Sequence, residues 1–470
     1  MNPMLVNEKT TYRYALVLYM FSYGLTFFYL NTFFWDDWIN YFDIKSLDTR
    51  WKTGAFSGFS PVRLVLEWWM AESFLPSFRI FSFLAFLIAA LSLNGILKAQ
   101  KWLTVVERHA IVILFLLLPA NSARASMTIF MYTFSYCVFF LAWWIYATQR
   151  NLFALAVSLF LFLFSFDTAS LLVFMIVPLS LSLYNFLESG QHFGNWLKRN
   201  LIFCIAPIAF WFIEPKLNPM VDITREVYYT PKLSGMLRGA LLLGLSIMFI
   251  GWGLIQRKWK HEHSRGQIQF AIGFLLTALA MFPYFALGHF ANLNTILIGF
   301  IPGSSDWDSR HQLLMPLGLA VMIVGLVNFV TSTNMHKFSR TIALVALVSS
   351  FFNFSTSQEY LLDARKQRDI IEALSSNNDV KKFHSVLIDD QALRFNARGR
   401  SIRSFEWDKI LQMANPGLNQ TSDVFRYVDC SSPRPEAIIR ITATNGRLRA
   451  LVFNDVGVTI EVLPIEACVN

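Results

Sequence analysis

The run Phe34-Trp35-Asp36-Asp37-Trp38 sets two adjacent carboxylates between tryptophans, directly after the first long apolar stretch of the chain. Ionisable groups at the edge of a hydrocarbon layer cost free energy unless something uses them. Paired carboxylates at such a boundary resist ionising together, which suits a general base that takes a proton from an attacking hydroxyl. The same residues also read as solvated acids flanked by interfacial tryptophans. Farther along, Gly58-Phe59-Ser60-Pro61-Val62-Arg63 precedes Glu67-Trp68-Trp69. Pro61 suits the first turn of a helix, and Arg63 and Glu67 would then share one face. Arg63 is the candidate ligand contact of the two, and Glu67 reads as a local ion-pair partner. A third group, Ser304-Ser305-Asp306-Trp307-Asp308-Ser309-Arg310-His311, stands just before another apolar run. A guanidinium grips phosphate with a fork of donors, and an imidazole bonds phosphate or shuttles a proton. The competing reading is a helix cap at Asp306 or Ser309 followed by ordinary interfacial charges. Arg124 and Asp167 fall in short turns. Asp167 reads as a turn marker, while Arg124 fits either a turn or a cavity wall.

These residues must be held by apolar helices. Of the 470 residues, 55% are hydrophobic and 15% charged, against roughly 25% charged in ordinary soluble domains. A spanning helix needs about 20 apolar residues, and that rule predicts a polytopic α-helical membrane protein with about eleven transmembrane helices. They begin near Arg13, Phe78, Ala110, Met127, Leu152, Thr168, Asn200, Leu237, Gln267, Gln312 and Thr341. The first apolar run has no small-residue cleavage site and reads as a retained helix. The net charge of +9 lies in short basic loops such as Arg257, Lys258, Lys260 and Arg265. Such loops orient helices, so no nucleic-acid partner is expected. In the eleven-span arrangement they share the side of the N-terminus, which is then cytoplasmic, and the long acidic and aromatic loops face outward.

Residues 1–357 form the expected transmembrane domain, and residues 358–470 a small C-terminal extracytoplasmic α+β domain. In that tail, Leu361 to Leu374 reads as an amphipathic helix with Arg365, Lys366 and Arg368 on its polar side. Phe383 to Ile388, Ala437 to Thr444, Arg447 to Phe453 and Val458 to Val462 read as strands, with Asn445-Gly446 as a hairpin turn. Of four cysteines, Cys137 and Cys204 read as apolar core residues. Cys430 and Cys468 could pair only in an oxidising compartment. The chain has no phosphate-binding G-x-x-x-x-G-K-[ST] loop, no H-E-x-x-H, no C-x-x-C and no G-x-S-x-G elbow, so ATPase, zinc-protease and serine-hydrolase chemistry is not expected. No cofactor and no metal cage is indicated.

The long first outer loop with Asp36 and Asp37, the Phe59 to Arg63 stretch before an apolar helix, and Arg310-His311 before a span resemble the GT-C superfamily of membrane glycosyltransferases. The Phe59 to Arg63 stretch also resembles the first loop of bacterial O-antigen glucosyltransferase-type enzymes. The resemblance covers the arrangement of spans and these three short motifs. It implies a bacterial inner-membrane enzyme that transfers sugar from a polyprenyl-phosphate-linked donor to a surface polysaccharide or lipid acceptor on the outer face. It also implies that Asp36 or Asp37 acts as general base, with Arg63, Arg310 and His311 on the donor phosphate and Trp35 and Trp38 at the substrate site. Two competing functions are a transporter or flippase of lipid-linked glycans and a polysaccharide polymerase or ligase. A transporter calls for repeated halves and charges at mid-membrane depth. A polymerase or ligase calls for arginine-rich outer loops. The acidic pair at the first helix end favours the transferase.

Overall fold

A backbone with no water around it must pair its own N–H and C=O groups, so the apolar runs of this chain become helices. The computed structural model describes residues 8–38, 60–100, 102–149, 151–166, 168, 170–189, 192–217, 232–258, 264–286, 312–331, 334–417, 421–424 and 435–464. The helices in chain order are α1 (Glu8–Tyr23), α2 (Ser60–Ser73), α3 (Ser77–Lys98), α4 (Val105–Leu117) and α5 (Phe130–Thr148). Next come α6 (Leu152–Ser165), α7 (Ser170–Phe174), α8 (Ile176–Ser189), α9 (Phe193–Asn200), α10 (Ile202–Leu217) and α11 (Leu233–Lys258). The membrane part is completed by α12 (Ser264–Ala286), α13 (Met315–Thr331) and α14 (Met335–Ser376). Many apolar side chains on α1, α3, α10, α11 and α14 are exposed, including Val17, Phe81, Ile208, Met248 and Phe351. Such a surface suits lipid, and the protein is membrane-associated.

The expected number of spans does not hold. Among the described residues, four helices are long and apolar enough to cross a bilayer: Ser77–Lys98, Met127–Thr148, Arg265–Ala286 and Met335–Ser376. The reason is mostly length, and in α11 the described apolar stretch is Leu233–Met248. The apolar run from Leu152 breaks into helices of 14, 5 and 14 residues, and a 14-residue helix rises only about 21 Å against a hydrocarbon core of about 30 Å. The helices α4, α10 and α13 reach 13, 16 and 17 residues. Apolar composition marked each run, but the caps and breaks that end the helices left most of them short. Thr104 and Glu107 cap α4 reciprocally, and Asn151 caps α6.

Close helix packing rests partly on small residues. Gly266 and Gly273 of α12 face Gly318 and Gly325 of α13, and a Cβ on any of the four would lie within 3.0 Å of the neighbouring backbone. Without side chains there, the two helices approach closely along their length. Nearby, Glu107 accepts hydrogen bonds from Arg265 (2.6 Å), Gln269 (3.1 Å) and Asn328 (2.6 Å), tying α4, α12 and α13 together.

α14 runs unbroken over 42 residues, out of the apolar layer and into the tail. There it packs against a four-stranded sheet of order β2-β1-β3-β4, where β1 is Ser385–Asp390, β2 Thr421–Val424, β3 Ala437–Ala443 and β4 Val458–Pro464. β1 lies parallel to β2 and β3, while β3 and β4 are antiparallel, with Ile441 opposite Ile460. Val386, Ile388, Ile439 and Ile441 point into a core closed by Ile370 and Leu374 of α14 and by Trp407 and Ile410 of α15 (Ser404–Ala414). Two expectations for the tail change. Arg447 to Phe453 is a helix, α16, and not a strand; Gly446 precedes it and Asn454, at φ 56°, ends it. Asn445-Gly446 is therefore no hairpin turn. Its run of Leu, Arg and Ala favours helix, and Arg365 donates to the final carbonyls of α16, Ala450 (2.5 Å) and Leu451 (2.8 Å). Lys366 is not on a polar face: it is fully buried and donates to Asp390 (2.6 and 2.8 Å) and Asn396 (2.6 Å). Cys137 is buried as expected but Cys204 is exposed. Cys430 and Cys468 lie outside the described residues, as does Asp167.

Candidate functional site

The acidic pair leaves α1 through a tight 3-10 turn, Gly24–Phe28, and enters a second turn at Phe34–Trp38. The Asp37 N–H donates to the Phe34 carbonyl (3.1 Å), and the Trp38 N–H to that of Trp35 (3.3 Å). Trp35 has φ 51°, a left-handed conformation that costs a non-glycine residue about 1–2 kcal/mol. Surrounding packing holds it there: the Trp35 ring meets that of Tyr360 edge-on at 5.7 Å, and Phe34 meets the same tyrosine at 5.0 Å.

The two carboxylates have different surroundings. Asp37 is 1% exposed. Its Oδ1 accepts from Ser126 Oγ (2.5 Å), Thr128 N (2.8 Å) and Thr128 Oγ1 (2.9 Å), and its Oδ2 accepts from Phe34 N (3.0 Å). Arg79 stands 3.7 Å from Oδ2. Asp37 therefore ties the turn to the segment before α5, and both of its oxygens are committed. Asp36 is half-buried and is the more accessible carboxylate. Asp37 is thus the anchor of the turn.

Arg79, in the first turn of α3, is 1% exposed and donates to three backbone carbonyls: Ala125 (2.8 Å), Leu30 (2.6 Å) and Thr32 (2.5 Å). Its guanidinium also lies over the rings of Tyr29 and Phe34. It fastens the exit of α1 to the turn before α5.

Beneath this joint lies a small cavity of about 30 Å³ between α1, α3, the 122–125 turn and α14. Much of its polar lining is already paired. The Tyr19 hydroxyl donates to the Phe83 carbonyl (2.9 Å), Ser357 to Ser22 (3.0 Å) and Asn353 to Leu117 (2.6 Å), while Thr26 and Tyr29 bond each other (3.1 Å). Arg124 is the exception. Its guanidinium lies over Tyr19, Tyr23 and Phe86, yet it makes no hydrogen bond or ion pair with any described residue, and one terminal nitrogen is buried without a partner. Burial pushes its pKa down to about 9, opposed in part by Tyr19. Aromatic faces hold a cation in place but do not neutralise it. Arg124 is thus a buried cation on the cavity wall whose counter-charge no described residue supplies.

The other candidates are distributed as follows. Trp35 and Trp38 are buried in two different clusters on either side of the turn, and the Trp38 ring N–H has no partner among the described residues. Arg63 lies in α2, which starts beside Pro61 as expected, but its side chain is outside the described residues. Arg310 and His311 also lie outside them. The described residues hold no group of three or more His, Cys, Asp or Glu side chains placed to bind a metal. Sequence reasoning passed over Arg79, although an arginine inside the apolar run from Phe78 to Leu97 was a usable signal. Ser126, Thr128 and Tyr360 carried no signal. Comparison with protein families, with curated proteins and with solved structures finds no match for this chain.

Proposed function

We propose that this protein is a membrane glycosyltransferase that moves a sugar from a polyprenyl-phosphate-linked donor to a surface glycan or lipid on the outer face of the bacterial inner membrane. The observation that supports this reading is a carboxylate turn that Asp37 ties through Ser126 to the short segment carrying the uncompensated Arg124 guanidinium. In this reading Asp36 takes the proton of the acceptor hydroxyl. The acceptor oxygen attacks the anomeric carbon, the bond from that carbon to the donor phosphate oxygen breaks, and the phosphate leaves with the electron pair. Arg124 meets the charge that develops on the leaving phosphate. Asp37 and Arg79 hold the turn against α3 and the 122–128 segment. Arg63, Arg310 and His311 are further candidates for contact with the donor phosphate. In this reading the acidic turn and the tail packed on it lie on the outer face.

A transporter of lipid-linked glycans could use the same guanidinium but has no need of a general base. Transfer of radiolabelled sugar from a panel of polyprenyl-phosphate donors to cell-envelope acceptors separates the two. Wild-type membranes should transfer sugar, and Asp36→Asn should lower the rate by about 10²–10⁴-fold at equal protein abundance. Undiminished transfer by Asp36→Asn would remove the proposed base and with it the mechanism.

A further inference from the structure

The C-terminal unit grips the acidic turn from two sides. On one side, Phe33 and Trp38 share a core with Ile402, Trp407 and the sheet residues Val386 and Ile388. On the other, Phe34 and Trp35 pack with Tyr360, Leu361 and Ala364 of α14 and with Ala397 of the tail. Arg400 closes this second side. Its guanidinium carbon lies 5.4 Å from the Trp35 ring centre and 5.8 Å from that of Phe34. Two carboxylates aim it: Nε donates to Asp363 (2.9 Å) and one terminal nitrogen to Glu406 (2.6 Å). Burial alone would lower the Arg400 pKa, but Asp363 and Glu406 outweigh it and hold the guanidinium charged. The loop that carries Arg400 is itself tied to α14. The Ala397 N–H donates to Asp363 (2.9 Å), the Arg398 N–H to Glu359 (2.9 Å), and Asn396 donates to the Arg400 carbonyl (2.7 Å) while accepting from Lys366. Arg398 and Gly399, at φ 54° and 65°, fold this loop back on itself. This support pairs Nε and one terminal nitrogen of Arg400 and leaves the other terminal nitrogen buried without a partner among the described residues. What it delivers is a flat cation on the aromatic face of the one turn residue with a left-handed backbone.

We propose that the C-terminal unit is the positioning element of the acidic turn and acts on it through Arg400, so that loss of this contact frees Asp36 from its working position. The consequence for turnover rests on the transferase reading, whereas the positioning itself does not.

The test is amide hydrogen exchange on the full-length protein in lipid nanodiscs, combined with sugar transfer. Arg400→Lys keeps a cation for Asp363 and Glu406 but loses the flat stacking face. It should speed exchange of the Asp37 and Trp38 amides by about tenfold while β1 and β3 amides stay as slow as in wild type. It should also lower kcat with the donor KM unchanged. Unchanged exchange at Asp37 and Trp38 would overturn the proposal, and so would faster exchange with undiminished kcat. If β1 and β3 open as well, Trp35→Leu decides, because it removes the ring and leaves every tail ion pair in place. In that variant, fast exchange at Asp37 and Trp38 supports the proposal and wild-type exchange overturns it. A wild-type protein that transfers no sugar would sink the transferase reading, and the exchange data would still decide the positioning.

Discussion

Asp37 and Arg124 are both enclosed where α1 and α3 meet the 122–128 segment. Asp37 accepts four hydrogen bonds with an arginine nearby, whereas Arg124 meets only aromatic rings among the described residues. Burying a charge is expensive unless it is paired and hydrogen-bonded. Asp37 meets that condition within the protein, so its charge is spent on architecture. Arg124 does not, and the free energy that its isolation costs is available to an anion that reaches it. An unbalanced charge next to a balanced one separates the part of this joint that holds the fold from the part that binds.

That contrast can be broken by mutation. The largest expected effect is on rate, the 10²–10⁴-fold fall in transfer for Asp36→Asn at equal protein abundance. Asp37→Ala should instead act on stability. It strands Ser126, Thr128 and Arg79 in a buried site and should cost about 3–5 kcal/mol, read as lost protein in membranes and a lowered thermal midpoint. Ser126→Ala removes one hydrogen bond to the carboxylate and should cost about 1.5–3 kcal/mol by the same measurement. Arg124→Met should be neutral or mildly stabilising, since it removes a buried charge without breaking any pair among the described residues. A large loss of stability in Arg124→Met would show that a partner for the guanidinium already exists within the chain.

A pH series sharpens the contrast further. Burial has lowered the Arg124 pKa to about 9, so the guanidinium is charged at neutral pH and loses its proton as pH rises through that value. Affinity for an anionic ligand should therefore be full below about pH 8 and decline above pH 9 in the wild type. Arg124→Met should show no decline in the same window.

Much of the layout was legible in the chain. The acidic turn stood out because two carboxylates beside a long apolar run are costly, and Pro61 marked the start of α2. Strands β1, β3 and β4 followed from their alternating Val and Ile. The number of spans was not legible, because apolar composition says where a helix tends to form but not where a cap or a break will end it. The partners of Asp37 were hidden for another reason: Ser126 and Thr128 lie 89 and 91 residues away, and nothing local in Ser126-Met127-Thr128 announces a carboxylate. Lys366 shows the same limit, since the polar stripe of an amphipathic helix became the inside of the tail once Asp390 and Asn396 folded onto it. Arg124 was visible as a charge in a short turn, but only the aromatic walls around it separate a cavity cation from a turn residue.

The most direct measurement is equilibrium binding of a polyprenyl monophosphate to the purified protein, comparing wild type with Arg124→Met at equal thermal stability. A saturable site whose affinity falls by about tenfold or more in the variant is expected for a charge-assisted contact of 1.5–3 kcal/mol. Equal affinity in the two proteins, or no binding to either, would contradict the assignment of Arg124 to an anionic donor.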